Sequence, residues 1–267
     1  MIDTHSHLNL KQFDRDYQAV ANSSFAQGIK AIINVGADLQ TSLKACQIAE
    51  EYSGQNIFAT IGLHPTEAAH EILAIDDYGS LAKRYEPVVK AIGEVGLDFF
   101  HCSNLQEQEK QKKVFIEFIN LAKKLKLPLA LHFRGDRSNP FRVYQEAFDV
   151  LCQENYFFGV VHCFAAPWSV AEKFLEKGFY FGLNGIITFP SFRETEMAQR
   201  MPLERIVLET DCPYLAPQEK RSERNEPKNI IYIARKLAEI KNENVEKIIA
   251  QTDLNAQQLF NFSVNRA

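Results

Sequence analysis

Short runs of apolar and β-branched residues alternate with longer segments whose apolar residues recur at helical spacing, from one end of the chain to the other. A glycine or proline closes many of the helical segments, for example Gly28, Pro87 and Gly178. The alternation predicts eight strands separated by helices, with the strands at Ile2–His5, Ala31–Val35, Ile57–Gly62, Val88–Glu94, Leu129–Phe133, Phe158–His162, Phe179–Leu183 and Arg205–Glu209.

Eight strands, each followed by a helix, predict an α/β fold of the (β/α)8 or TIM-barrel class. The length of 267 residues suits one such barrel. No repeat or change of composition marks a second domain, so we expect residues 1–267 to form a single domain. The segment Glu243–Phe262 has helical spacing, and we expect it to pack on the barrel as extra C-terminal helices.

Composition narrows the class of protein. Hydrophobic residues make up 46% and charged residues 24%, as in a globular protein with a sizeable core, and the net charge of −4 excludes a global basic field for nucleic acid. Five scattered cysteines without a Cys-x-x-Cys pair argue against a disulfide framework and a zinc finger. No apolar run is long enough for a membrane span, and a motif that begins at Asp3 leaves no room for a signal peptide. We therefore expect a cytoplasmic protein.

Histidines and carboxylates gather at the ends of the predicted strands. His5 and His7 alternate at the end of the first strand, so both rings can point to one side. Other strand ends supply the remaining polar residues, and five of the seven histidines fall at such positions: His5, His7, His64, His132 and His162, together with Glu94, Arg134 and Asp211. Structural histidines scattered at random would not follow strand ends, so the pattern predicts a metal site.

Imidazole and carboxylate ligands without thiolates suit Zn, Mn, Ni or Fe, with Mg less natural for so many histidines. Two divalent ions about 3.5–4 Å apart need a bridging ligand, and Glu94 is well placed to provide one. Bridged ions lower the pKa of a shared water and give hydroxide near neutral pH. Asp211 would hold one ion and accept the proton of that hydroxide as it attacks.

The chain resembles the TatD family of metal-dependent deoxyribonucleases, within the amidohydrolase-like barrels. The motifs that carry the resemblance are IDTHSH at 2–7, GLHP at 62–65, GEVGLDF at 93–99, LPLALHFR at 127–134, GVVHCF at 159–164, LETDCPYLAP at 208–217 and RNEP at 224–227. The resemblance implies two divalent ions. One would be held by His5, His7, Glu94 and Asp211, and the other by Glu94, His132 and His162. It also implies hydrolysis of phosphodiester bonds in DNA, often from the 3′ end.

Three further residues are candidates for substrate binding. The resemblance places His64 near the substrate, although backbone groups could equally satisfy a loop histidine. Arg134 has a planar fork that suits a phosphate, or it could pair with a structural carboxylate. Arg224 lies in the polar segment Ala216–Asn229 after the last strand, which is either a substrate loop or a solvated surface loop.

Residues next to the candidate ligands allow more than one interpretation. Asp3 and Glu209 either orient ligand imidazoles or form salt bridges at the barrel end. Phe99, Phe164 and Tyr214 either stack on bases or belong to the core. His70 and His101 have no partner pattern, so we expect them at the surface. Cys163 and Cys212 each follow a candidate ligand and point away from it, so we expect them in packing.

The chain departs from the family pattern at two places. Glu219–Glu223 replaces a run rich in glycine and lysine before Arg224, and Gly135-Asp136 follows Arg134 where an acidic residue and alanine are usual. Neither departure involves a candidate metal ligand. Both could change contacts with the substrate.

Three functions from different classes remain open at this stage. The first is a two-metal phosphodiesterase acting on DNA, in single-stranded form or at 3′ ends, with no membrane partner; a monomer is compatible with the sequence. The second is a hydrolase of small amides, esters or lactones. Many related barrels bridge their ions with a carboxylated lysine, and Glu94 at that position favours the phosphodiesterase. The third is a metal-dependent scaffold without catalysis.

Overall fold

A computed structural model of the protein describes residues 1–70, 72–102 and 104–264, so the predicted domain of residues 1–267 includes five positions outside the described residues. Within the described ranges, eight parallel strands form one sheet in the order β1 to β8. Their bounds are β1 (Ile2–Ser6), β2 (Ala31–Val35), β3 (Ile57–Ile61), β4 (Val89–Asp98), β5 (Leu129–Arg134), β6 (Gly159–Val161), β7 (Tyr180–Leu183) and β8 (Ile206–Leu208). The predicted TIM-barrel fold is confirmed.

Helices connect the successive strands and surround the sheet. Those in the described ranges are α1 (Tyr17–Ala26), α2 (Leu39–Glu51), α3 (Pro65–Ala68), α4 (Ile75–Arg84), α5 (Leu105–Leu125), α6 (Arg142–Glu154), α7 (Trp168–Glu176), α8 (Thr195–Arg200), α9 (Ile230–Lys241) and α10 (Val245–Phe260). Five short 3-10 helices lie in the connections, at Lys11–Phe13, Gly185–Thr188, Leu203–Arg205, Gln218–Lys220 and Pro227–Asn229. None of the helices in these described ranges is long and apolar enough to cross a membrane.

The first and last strands close the barrel. Ser6 and Cys212 form a parallel bridge just beyond the end of β8. The backbone N–H of His7 donates to the carbonyl of Cys212 at 2.8 Å, and the N–H of Asp211 donates to the carbonyl of His5 at 2.8 Å. Closure therefore occurs at the carboxyl ends of the strands, where it also fixes three of the candidate ligands.

The strands are buried because helices cover the outer face of the sheet and side chains fill the inside, so strands such as β2 are largely apolar. β1 is an exception, with Asp3 and Thr4 buried in it, and the candidate ligands lie towards the carboxyl ends of the strands. One glycine sets the spacing there: Gly96 has a φ of +144°, and a Cβ at this position would lie 2.1 Å from the carbonyl oxygen of His132. A side chain at position 96 would push β4 and β5 apart beneath the site.

The helix α10 covers the amino-terminal end of the barrel. Its residues Ala256, Leu259 and Phe260 join a core cluster with Ile2 and Val207 from inside the barrel. The side chain of Asn255 donates to the carbonyls of Leu203 and Ile206, which ties the helix to β8. The expected packing of the C-terminal segment on the barrel is confirmed, and it leaves the opposite end open.

The strand boundaries differ from the predicted ones mostly by one residue, with one larger exception. β4 was predicted to end at Glu94, but it continues to Asp98 and pairs with β5 as far as Arg134. The extension carries Gly96 and Asp98 into the sheet. It brings the Asp98 carboxylate alongside the candidate ligands.

Candidate metal centre

His5 and His7 lie at the end of β1 with both rings turned to the inside of the barrel mouth. Both residues are buried, and their Nε2 atoms are 3.2 Å apart. His7 is further held by Nδ1, which lies 2.9 Å from the carbonyl oxygen of Val35 at the end of β2. The Nδ1 atom therefore donates its hydrogen to a carbonyl and leaves Nε2 with a lone pair for a metal.

A first set of candidate ligand atoms lies close together. We call this set the first ligand group; it consists of His5, His7, Asp211 and one oxygen of Glu94. The Nε2 of His5 lies 3.3 Å from Glu94 Oε2 and 3.9 Å from Asp211 Oδ1. The Nε2 of His7 lies 3.7 Å and 3.4 Å from the same two oxygens. Ligand atoms about 2.0–2.1 Å from a tetrahedral ion are about 3.4 Å apart, so this donor set fits a divalent ion.

The second oxygen of Glu94 faces a second ligand group, formed with His132 and His162. Oε1 lies 2.7 Å from Nδ1 of His132 and 3.5 Å from Nε2 of His162. His64 also approaches, with its Nε2 3.7 Å from the same oxygen. Glu94 thus stands between two sets of imidazoles and presents one oxygen to each.

Charge stabilises the ionised form of Glu94. Burial alone would raise the pKa of this carboxyl, but the nearby imidazoles of His5, His162 and His64 outweigh burial and hold the pKa well below its usual range. A carboxylate that stays ionised while buried needs positive charge around it. A divalent ion on either side supplies such charge.

Two buried carboxylates stand behind the rings of the second ligand group. Asp98 Oδ2 lies 3.3 Å from Nε2 of His132, on the side of the ring opposite Glu94. Glu209 Oε1 lies 2.9 Å from Nδ1 of His162, close enough for an ion pair although the geometry is not that of a hydrogen bond. Such carboxylates fix the orientation and tautomer of ligand histidines. This arrangement is one of the two predicted for Glu209, whereas no signal in the sequence points to Asp98.

The same carboxylates give the second ligand group a strong affinity for positive charge. Burial opposes protonation of His132, but Asp98 and Glu94 outweigh burial and raise the pKa of its imidazole to about 9. For His162, Glu209 and Glu94 likewise outweigh burial and raise the pKa to about 10. The second ligand group therefore favours positive charge, which protons or a bound cation would supply.

Asp211 and Asp3 illustrate two different uses of a carboxylate at the end of the barrel. Asp211 is in the left-handed region with a φ of +56°, which turns its side chain from the β8 end towards His7. Asp3 contacts no imidazole among the described residues. It accepts hydrogen bonds from the backbone N–H of Thr210 at 2.8 Å and from the Thr210 hydroxyl, and so it fixes the β1–β8 junction. Neither option foreseen for Asp3 describes this role.

The three predicted substrate residues occupy different environments. His64 lies at the start of α3, where its Nδ1 contacts the hydroxyl of Thr66 at 2.7 Å and its ring packs edge-on against His132. Arg134 is exposed at the end of β5 and lines the cleft above the ligand groups. Arg224 does not line this cleft. Its guanidinium forms a double ion pair with Asp16, so its role in binding phosphate stays a prediction that requires this pair to open.

A cleft of about 1120 Å³ opens over both ligand groups. Tyr214 lies on its rim with 49% of its side chain exposed, whereas Phe99 and Phe164 are buried in the core. Of the two alternatives for these aromatic residues, the two phenylalanines therefore belong to the core, whereas Tyr214 remains available to stack on a base. His101, expected at the surface, is half exposed, lines the cleft and contacts Asp98 through Nδ1 at 2.8 Å.

Comparison with known proteins agrees with this geometry. The model of the family described as TatD related DNase matches residues 2–261. The metal-dependent hydrolase YabD of Bacillus subtilis is 34% identical over 97% of this chain and 98% of its own length. The 3′-5′ ssDNA/RNA exonuclease TatD of Klebsiella pneumoniae is 32% identical over 99% of both chains.

A solved structure shares the whole architecture. The crystal structure of YjjV, a TatD homologue from Escherichia coli, superposes with a TM-score of 0.88 and 27% identity, covering 98% of each chain. The match to the family model extends over nearly the entire barrel and includes every candidate ligand. This protein therefore belongs to the TatD family and is a metal-dependent hydrolase.

Proposed function

We propose that this protein is a two-metal phosphodiesterase that removes nucleotides from the 3′ end of single-stranded DNA. One observation carries the proposal: the two oxygens of Glu94 face separate groups of imidazoles, with Oε2 3.3 Å from His5 and Oε1 2.7 Å from His132. A bridging carboxylate between two ligand groups is the arrangement that holds a pair of divalent ions about 3.5–4 Å apart. The ions proposed are two of Zn, Mn, Mg, Ni or Fe.

The donor set supports the following ligands. His5, His7 and Asp211 with Glu94 Oε2 would hold one ion, and His132 and His162 with Glu94 Oε1 would hold the other. When bound, such ions polarise a phosphodiester, lower the pKa of a water molecule and neutralise the charge that develops at phosphorus.

Asp211 would accept the proton of the attacking water. Its Oδ1 reaches the first ligand group, yet 13% of the side chain stays exposed to the cleft. Burial opposes ionisation of Asp211, but the imidazoles of His7, His162 and His5 outweigh burial and keep its pKa below the ordinary value, so the carboxylate is ionised before the reaction. As the water oxygen bonds to phosphorus, its proton passes to Asp211, and the P–O bond on the opposite side of phosphorus breaks; the leaving oxygen takes the electron pair and gains a proton from solvent.

Arg134 supports a phosphate substrate. Among the described residues it forms no ion pair with a carboxylate, and its exposed guanidinium lines the cleft. A free planar fork beside the ligand groups suits a phosphate oxyanion better than an uncharged amide or lactone. The relative from Klebsiella pneumoniae, described as an exonuclease on single-stranded DNA and RNA, points in the same direction.

The test is an assay of the metal-loaded protein on oligonucleotides blocked at the 3′ or the 5′ end. We expect release of mononucleotides from DNA with a free 3′ end, and a loss of about 10²–10⁴-fold in turnover for Asp211→Asn. Asp253→Asn, a buried carboxylate in α10 away from the cleft, is the matched control and should keep its activity. Absence of nucleotide release, together with turnover of amides, esters or lactones, would identify the acyl hydrolase instead. Retained cellular function in the Asp211→Asn protein would favour the scaffold.

A further inference from the structure

Two exposed arginines flank one phenylalanine at the edge of the cleft. We call Arg134, Phe100 and Arg137 the arginine stack. The guanidinium carbon of Arg134 lies 4.2 Å from the centre of the Phe100 ring, and that of Arg137 lies 5.4 Å from it. The ring therefore holds two positive charges near each other on the surface.

Neither charge is neutralised within the described part of the chain. Arg134 and Arg137 make no ion pair there, in contrast to Arg142, which contacts Glu146 at 2.7 Å. Asp136 precedes Arg137, but its carboxylate contacts other groups. It accepts from the backbone N–H groups at positions 138 and 139 and lies 3.6 Å from Arg142.

The loop that presents Arg137 is fixed by its own residues. Gly135 packs so tightly that a Cβ would lie 2.0 Å from the carbonyl oxygen of Pro140. Asp136 closes the following turn through its three hydrogen bonds to Ser138 and Asn139. This is also one of the two places where the sequence departs from the pattern of the family it resembles. The departure builds a rigid turn that points an additional arginine outwards.

The arginine stack continues directly from the metal centre. Arg134 follows His132 by two residues on β5, so both side chains leave the strand on the same side. Phe141, whose ring is partly exposed, also lines the cleft and follows Arg137 by four residues in the same loop. The side of the mouth that follows β5 therefore offers two unpaired cations and an exposed aromatic ring close to the metal centre.

We propose that the arginine stack binds the sugar-phosphate backbone of a single nucleic-acid strand next to the phosphate that is cleaved. The proposal rests on the phosphodiesterase function proposed above and adds where the strand lies. Two guanidiniums on one ring face neighbouring phosphates, and Phe141 offers a face on which a base can stack. A single strand brings its bases and phosphates together at this wall, whereas a mononucleotide ester reaches only the metal centre.

The experiment compares a 12-nucleotide single-stranded DNA with the p-nitrophenyl ester of thymidine 5′-monophosphate, using the metal-loaded protein. The quantity compared is kcat/KM for the DNA divided by kcat/KM for the ester. We expect Arg137→Ala to lower this ratio about tenfold, because one charge-assisted contact with the DNA is lost. The slope of log KM for DNA against log salt concentration should become shallower by about 0.7, the value for one phosphate of a single strand. Arg137→Lys should retain the salt slope and lose part of the ratio, because the charge remains without the planar fork.

Arg84→Ala is the matched control. Arg84 is an exposed arginine stacked on Tyr85, 5.1 Å from the ring centre, at the end of α4 that leads into the amino-terminal end of β4. It should leave both the ratio and the salt slope as in the wild type. The proposal is overturned if Arg137→Ala gives the same ratio and slope as Arg84→Ala, or if it reduces DNA and ester turnover equally. Failure of the wild type to hydrolyse either diester would instead overturn the phosphodiesterase function, and fluorescence anisotropy of labelled DNA on the two variants would then decide the arginine stack alone.

Discussion

Asp98→Asn tests whether the carboxylate behind His132 prepares that ring for a metal. Asp98 Oδ2 faces Nε2 of His132, so in a metal-bound ring this nitrogen would keep its hydrogen and Nδ1, on the side of Glu94, would offer its lone pair to the ion. An asparagine amide placed there would donate to Nε2 and leave the hydrogen on Nδ1. The substitution changes little in shape and reverses the tautomer that a metal requires.

The magnitude follows from the contacts of Asp98. Loss of a carboxylate behind a ligand histidine costs about 10- to 100-fold in metal affinity. The distance of 3.3 Å to His132 is long for a charge-assisted hydrogen bond, and the same oxygen also contacts His101 at 2.8 Å. We therefore expect the lower half of the range, about 10- to 30-fold, which corresponds to about 1.4–2 kcal/mol.

Equilibrium dialysis at buffered free zinc, followed by metal analysis, measures the effect. The second ligand group should need about 10- to 30-fold more free zinc for half occupancy, with the first ligand group little changed. Asp253→Asn removes another buried carboxylate, one that contacts Lys30 at 3.0 Å, and serves as the control for a general loss of stability. Wild-type zinc binding by Asp98→Asn, or equal weakening of both groups, would refute the reasoning.

Three further outcomes are expected. Replacing both His5 and His7 with alanine should empty the first ligand group and leave the second partly occupied, which metal analysis detects as a selective loss of one ion; equal loss of both would mean that the groups are not separable. Removal of metal with a chelator should lower Tm in a thermal melt by about 5–10 °C for each site whose free metal concentration was about 100 times Kd, and adding metal back should restore Tm. An unchanged Tm would argue against metal in the folded protein. Phe181→Ala should lower the free energy of unfolding by about 3–5 kcal/mol in urea, because the ring is fully buried and packs edge-on against Phe164 at 4.9 Å. Phe158→Ala, at a position 40% exposed, is the control and should cost far less.

The barrel and the meeting of the candidate ligands follow from sequence because parallel strands leave their polar residues at one shared end. His5, Glu94 and Asp211 are far apart along the chain, yet each lies at or just beyond the predicted end of a strand. That signal is local and can be read without knowing which strands are neighbours. The ions themselves, their number and their identity remain proposals.

What sequence could not supply is the set of long-range partners. Asp98 sits in an apolar stretch with no local signal, and its relation to His132 depends on a strand that continues beyond its predicted end. Arg224 shows the opposite case. Its position in a polar loop is compatible with an unpaired charge, but its guanidinium pairs with Asp16 at the start of α1. Whether a charge is paired depends on elements distant in sequence, and so it emerges only from the folded chain.

Closure of the barrel between Ser6 and Cys212 has a consequence for how the protein is made. Synthesis delivers His5 and His7 first, and Asp211 only after all eight strands have been made. Glu94, His132 and His162 emerge together in the middle of the chain. A nascent or truncated chain lacks the last ligand of the first group, so occupancy of that group reports that the final strand has joined the first.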